Sequence, residues 1–164
     1  MKRDINMRID TACFTGHRII GKELLPKLKS QLRVTIEKLI ENGVIYYGCG
    51  GALGFDQLAG NVVIEMKKEY PQIRLIMILP CKEQDKPWNE SEKNEYRSLL
   101  SLSDKNVYLQ ELYDNNCMLK RNRYMVDESG ICIAYLTKDR SGTSYTVKYA
   151  KDKNRKIINI AETL

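Results

Sequence analysis

Five glycines fall within the thirteen residues Gly48-Cys49-Gly50-Gly51-Ala52-Leu53-Gly54-Phe55-Asp56-Gln57-Leu58-Ala59-Gly60. Glycine serves two ends at such a turn. It permits tight packing, and it lets bare backbone approach a phosphate and aim N–H groups at it. Two further stretches share this character. Thr15-Gly16-His17-Arg18 joins a glycine to a hydroxyl and two basic side chains. Lys138-Asp139-Arg140-Ser141-Gly142-Thr143-Ser144 sets hydroxyls around a glycine ahead of an amphipathic run. One such loop is a weak signal; three together suit a phosphate or pyrophosphate. The Walker pattern GxxxxGK[ST] is absent, so nucleoside triphosphate hydrolysis has little support.

A fourth stretch, CMLKRNRYMVDES, brings Arg121, Met125 and Glu128 near one face of a helix, with Met118 a turn earlier. The methionines suit a core. Arg121 and Asn122 suit a crevice, where a guanidinium pairs bidentately with phosphate or carboxylate; an exposed basic helix is the plainer alternative. Asp56 either complements a helix N-terminus or contacts ribose hydroxyls. One histidine and five scattered cysteines make no metal constellation, and Cys49 and Cys117 lack a sequence partner for nucleophilic work. The candidate ligand-binding set is therefore Gly16, His17, Arg18, Gly50, Gly51, Gly54, Asp56, Arg121, Asn122, Ser141, Gly142, Thr143 and, for stacking, Trp88. Arg121 and Asp56 are the catalytic candidates. Neither metal nor cofactor is implied.

These positions must be brought together by the elements between them. Short β-branched or aromatic runs at Thr11–Thr15, Val44–Gly48, Ile73–Leu79, Asn106–Gln110, Gly130–Leu136 and Lys156–Ile160 predict strands. Amphipathic runs over Lys22–Asn42, Phe55–Glu69, Glu90–Leu102, Cys117–Glu128 and Thr143–Lys153 predict helices. This alternation predicts an α/β, Rossmann-like three-layer fold with a mainly parallel, doubly wound sheet, as a single domain over residues 1–164. In such sheets ligands bind beyond the carboxyl ends of the strands, where the candidate turns fall. The irregular piece PCKEQDKPWNES, with the sole tryptophan, follows the third predicted strand and suits a loop over a site. Trp88, Tyr113 and Tyr124 are candidates to stack on a base.

Composition is ordinary for a globular chain, with 43% hydrophobic and 29% charged residues. No apolar run approaches the roughly 20 residues that cross a bilayer, and the start, MKRDINMRID, lacks the apolar segment of a signal peptide. The cysteines are odd in number and never form CxxC, which points to a reduced, cytoplasmic protein. A formal charge of +6 favours anionic partners. Much of it is spread along runs such as KELLPKLKSQLR, where a solvated helix face accounts for it.

The segments FTGHR, GGALGFDQLA, the Trp88 loop, YDNNCMLKRNRYMVD and SGTSYTVKYA, in that order, resemble the SLOG superfamily and most closely its YpsA-like branch of small bacterial proteins. The resemblance implies a Rossmann-like fold, a site for nucleotide-derived ligands such as ADP-ribose-like molecules or nucleoside monophosphates, and a homo-oligomer. Two related groups sharpen this. The LOG phosphoribohydrolases carry MxxRKxxM and then PGGxGTxxE. Met118, Arg121 and Met125 match the first pattern, but Thr146 stands where the second has its glutamate. Loss of a base from ribose builds oxocarbenium character that a carboxylate stabilises, and threonine does so poorly; Asp56 or Asp127 would have to substitute. The other group is DprA, whose core carries a similar glycine turn and which binds single-stranded DNA. The expected function is thus binding or sensing of a phosphate-containing nucleotide derivative. N-glycosidic hydrolysis is the alternative, and single-stranded DNA binding ranks third.

Overall fold

The computed structural model describes residues 9–164, so most of the MKRDINMRID start lies outside the described residues. Six strands form one sheet: β1 (Thr11–Gly16), β2 (Tyr46–Cys49), β3 (Arg74–Leu79), β4 (Lys105–Tyr108), β5 (Ile131–Tyr135) and β6 (Lys156–Asn159). Five helices alternate with them: α1 (Leu25–Glu41), α2 (Phe55–Lys67), α3 (Glu90–Leu102), α4 (Cys117–Asp127) and α5 (Gly142–Asp152). The strand order is β4-β3-β2-β1-β5-β6, and every pairing is parallel. The sheet is doubly wound, as the alternation of elements predicts.

Side-chain alternation along the strands sorts the chain into three layers. Ala12, Phe14, Met77, Leu79 and Ile133 point to one face, where Leu28, Leu32 and Ile36 of α1, Phe55, Val62, Val63 and Met66 of α2, and Tyr96 and Leu99 of α3 cover them. Cys13, Ile78 and Cys132 point to the other, against Met125 and Val126 of α4 and Ala150 of α5. Strands covered on both sides are why the apolar runs read as nearly continuous. All five cysteines are free and buried. Among the described residues, no helix is long and apolar enough to cross a membrane.

Local chemistry sets the element ends. Pro26 sits in the first turn of α1, and Gly43, at φ 90°, ends it by letting the Val44 N–H donate to the Leu39 carbonyl. That bond takes Val44 out of β2, so the strand starts later than the predicted Val44. Asn89 and Glu92 form a reciprocal capping box at the start of α3, and Ser141 and Ser144 do the same for α5. β4 stops at Tyr108, short of the predicted Gln110, because its only neighbour β3 ends at Leu79 and gives way to Pro80, which has no N–H to donate.

The β1 exit and the start of α2 are locked together. The Phe55 N–H donates to the His17 carbonyl (3.1 Å). Gly54 approaches the same segment so closely that a Cβ there would lie 2.2 Å from the Arg18 carbonyl oxygen, and its φ of 83° with ψ of −122° is a conformation essentially confined to glycine. Gly54→Ala is therefore expected to lower stability by about 3 kcal/mol or more. Gly43→Ala, with a similar φ but open space around the site, is expected to lose only about 1 kcal/mol. Urea denaturation midpoints at unchanged slope measure both; equal losses would show that the close approach at Gly54 carries no energy.

Candidate functional site

The strand order reverses between β1 and β5, and a doubly wound sheet opens a crevice at that point beyond the strand ends. A cavity of about 300 Å³ lies there, lined by β1 and its exit (Phe14 to Arg18), Ala52 and Asp56, Met118, Arg121 and Asn122 of α4, and Ser141, Gly142 and Thr143. Each wall follows from the topology. β1 and β5 end side by side, α2 starts behind β1 on one face, and α4 and α5 cover the other. A second cavity of about 790 Å³ adjoins it and shares Arg18 and Met118; the Trp88 loop and Leu112 and Tyr113 complete its lining.

Arg121 dominates the smaller cavity. Its side chain is only 3% exposed. Nη1 donates to the Gly50 carbonyl (2.7 Å), Nε to Asn122 Oδ1 (2.8 Å), and Nη2 lies 3.6 Å from Met118 Sδ. An N–H on each terminal nitrogen is left uncommitted. Among the described residues, no carboxylate oxygen comes within 4.0 Å of the guanidinium. Burial pulls the Arg121 pKa down while Asp56 opposes it, and the group stays cationic. Asp56, also buried, accepts from the Ala52 N–H (3.3 Å) and is the only carboxylate in the cavity lining. Burial pushes its carboxyl up to about 6, with Arg121, the Ala52 N–H and Arg18 opposing.

The α5 wall adds backbone donors. The Gly142 and Thr143 amides, first in the helix, have no intrahelical acceptor within reach. His17 plays a different part from the one its charge suggests. Its Nε2 accepts from the Thr137 N–H (2.9 Å), bracing the β1 exit against the β5 exit, and burial followed by Lys138 holds its pKa below the usual histidine value. The ring is neutral at pH 7, and Arg18, exposed at the rim, is the cation of that turn.

Of the candidates from sequence, Gly16, His17, Arg18, Asp56, Arg121, Asn122, Ser141, Gly142 and Thr143 line this one cavity. Trp88 lines the larger one. Gly50, Gly51 and Gly54 line neither smaller nor larger cavity. Protein approaches each of them closely: a Cβ on Gly50 would lie 2.6 Å from Arg121 Nη1, and one on Gly51 would lie 2.9 Å from the Tyr96 ring, while Gly54 also borders a third cavity of about 650 Å³ beside Arg18. Asp127 is held by the Tyr149 hydroxyl (2.8 Å) away from the cavity. Thr146 is buried and donates its hydroxyl to the Gly142 carbonyl (3.0 Å). Tyr124 lies on the open sheet face with Tyr46, Ile76 and Val107. Sequence reasoning missed Gln84, whose Nε2 donates to the Gly50 carbonyl and the Tyr96 hydroxyl (both 3.1 Å). Its place in a predicted loop over the site was the available signal.

Fold and site together define a doubly wound α/β protein whose switch-point cavity carries a buried cation, a carboxylate and free helix amides. The model of the family described as the YspA SLOG family matches residues 21–162, and the chain belongs to that family. It is 37% identical to the uncharacterised SPbeta prophage-derived protein YoqJ of Bacillus subtilis, over 76% of this chain and 81% of that one. It is 29% identical to a UPF0398 protein of Halalkalibacterium halodurans, over 78% of this chain and 69% of that one. Among solved structures, DNA processing protein A of Helicobacter pylori, which has a described single-stranded DNA binding mode, superposes with a TM-score of 0.65 at 18% identity. That match covers 96% of this chain and 67% of the other. The Streptococcus pneumoniae protein of the same name gives 0.66 at 17%, over 90% and 48%.

The raised Asp56 pKa has a signed consequence. The folded chain holds this proton more tightly than the unfolded chain, from 3.8 unfolded to about 6 folded. The carboxyl therefore contributes most to stability below pH 4, and that contribution falls as pH rises to about 6. The stability of Asp56→Asn relative to wild type is expected to rise by on the order of 3 kcal/mol between pH 4 and pH 7. Urea titrations of both proteins at several pH values measure this, and a constant difference would contradict it.

Proposed function

We propose that the chain binds a phosphate-containing nucleotide derivative, of the ADP-ribose or nucleoside monophosphate class, across the switch point. The observation that carries this reading is the buried Arg121 guanidinium, which has uncommitted N–H groups and no carboxylate in contact. A buried cation without a paired anion is costly unless something else supplies the negative charge. A phosphate there would take bidentate bonds from Arg121 and single bonds from the Gly142 and Thr143 amides, with Arg18 closing from the rim. Asp56 would then face the sugar, where a carboxyl accepts from ribose hydroxyls. At about 300 Å³ this cavity suits a sugar phosphate, and the adjoining space leaves room for the rest of a nucleotide.

Hydrolysis of the N-glycosidic bond is the second reading, favoured by one feature: Asp56 titrates near neutral pH, where a general base works well. A third, single-stranded DNA binding, draws on the superposition with DNA processing protein A and on a surface cluster that sequence reasoning did not find. There Arg123 lies over the rings of Tyr145 and Tyr149, and Lys153 lies over Tyr149. A cytoplasmic location belongs to the same overall reading. Self-association is proposed through the half of the sheet that α4 and α5 leave open, where Tyr46 and Tyr124 are 39% and 38% exposed beside Ile76 and Val107. Light scattering after size exclusion is expected to give a dimer mass for the wild type and a monomer mass for Tyr124→Glu; a monomeric wild type would rule this out.

Titration calorimetry with ADP-ribose, AMP and ribose 5-phosphate tests the main reading. At least one ligand is expected to bind, with affinity falling about 100-fold in Arg121→Ala and less in Arg18→Ala. Mass spectrometry of the recovered ligand separates binding from turnover: intact ligand supports a sensor, free base supports the hydrolase. Failure of all three ligands, alongside tight and salt-dependent retention of an oligonucleotide, would favour the DNA reading.

A further inference from the structure

The larger cavity contains a signal that the anion site does not explain. Gln84 is 3% exposed and lines it, and Gln84 Oε1 is the one buried side-chain N or O atom among the described residues without a hydrogen-bond partner. Buried amide oxygens are almost always paired, so this unpaired one in a residue that lines the cavity needs an explanation. The amide cannot be turned over to relieve it. Its nitrogen donates to the Gly50 carbonyl and the Tyr96 hydroxyl, and a reversed amide would set oxygen against the carbonyl oxygen. Around it the lining is largely apolar, with Arg18, Glu83 and Lys86 adding charge. Trp88 is fixed by an edge-to-face contact with Tyr96 (5.1 Å between ring centroids, 81° between planes), and Pro87, Leu112, Tyr113 and Met118 complete the slot.

The two cavities are joined chemically as well as in space. The Gly50 carbonyl accepts from Gln84 on one side and from Arg121 on the other. One carbonyl therefore fixes both the cation of the smaller cavity and the orphan acceptor of the larger. Arg18 and Met118 border both spaces.

We propose that the Trp88 cavity is a nucleobase subsite, and that Gln84 Oε1 selects bases bearing an exocyclic amine. This rests on the anion site holding the phosphate of the same ligand. The base lies against the Trp88 and Tyr113 rings and donates its amine to Gln84 Oε1. A site built to accept a hydrogen bond rejects an analogue lacking the donor, because its buried oxygen is then left unpaired. Bases without the amine bind more weakly for that reason.

Trp88 is the only tryptophan in the chain and so reports on the slot alone. Full-length protein is titrated with AMP, GMP, CMP, purine riboside 5′-monophosphate (AMP without its amine) and ribose 5-phosphate, following Trp88 fluorescence and heat in parallel. At least one amine-bearing nucleotide is expected to change the emission saturably and to bind 10-fold or more tighter than purine riboside 5′-monophosphate. Gln84→Met is expected to shrink that preference to under 3-fold. Ribose 5-phosphate is expected to release heat without altering emission. Heat from ribose 5-phosphate with no emission change from any nucleotide overturns the base subsite and leaves the anion site standing. Equal affinity for the best amine-bearing nucleotide and for purine riboside 5′-monophosphate overturns the role of Gln84, a result read on wild type and independent of how the variant folds. No heat from any probe overturns the anion site and the subsite together.

Discussion

The molecule is arranged around one electrostatic constraint: a guanidinium buried at the sheet's switch point with no carboxylate in contact. Desolvating an arginine is tolerable only when dipoles replace its hydration shell. The Gly50 carbonyl and the Asn122 amide oxygen supply two of them, and the Met118 sulfur a weak third. That solution constrains residues far apart in the chain. Position 50 must lack a Cβ, because one would collide with Arg121 Nη1, and α4 must return across the sheet from β4 to β5 so that its first turns reach the end of β1.

Asp56 and Arg121 share the cavity without pairing, and this separation leaves each with properties that a direct ion pair would cancel. A contact pair would hold the carboxyl far below its ordinary pKa and engage the remaining N–H groups. Set apart, the carboxyl is governed by burial and rises, while the cation keeps donors free. The β1 exit shows a similar division. His17, neutral and accepting from the Thr137 amide, is a strut between the strand exits, and Arg18 carries the charge. A +6 chain thus places few of its charges at the crevice, and those at the crevice are held apart from one another.

Much of the fold was readable in the sequence, because parallel strands covered on both faces leave apolar runs, and capping pairs such as Asn89 with Glu92 mark helix starts directly. The convergence of the Thr15–Arg18, Arg121–Asn122 and Ser141–Thr143 segments followed from topology once the strands were assigned. The glycine-rich turn was legible only in kind. Glycine is required wherever something approaches the backbone closely, and its identity does not say whether that something is a ligand or another part of the protein. At Gly50 and Gly54 it is Arg121 and the Arg18 backbone. Gln84 was hidden for a related reason: a glutamine in a charged loop reads as solvated until packing with Tyr96 and Gly50 shows it buried. The basic and aromatic surface cluster escaped because Arg123 and Tyr145 belong to different helices.

The contrast with the LOG pattern becomes clearer in three dimensions. The position that pattern gives to glutamate lies on α5, and here it holds Thr146, whose hydroxyl is used on the helix's own Gly142 carbonyl. The carboxylate that does line the cavity, Asp56, stands on α2, on the opposite face of the sheet. A carboxylate moved from one wall to the other meets the opposite side of whatever occupies the space between. In the proposed reading the groups on α4 and α5 would need no change for this, since they would grip the anion. Chemistry at the sugar does need one, because an oxocarbenium-like centre must be met from the correct side by the stabilising carboxylate.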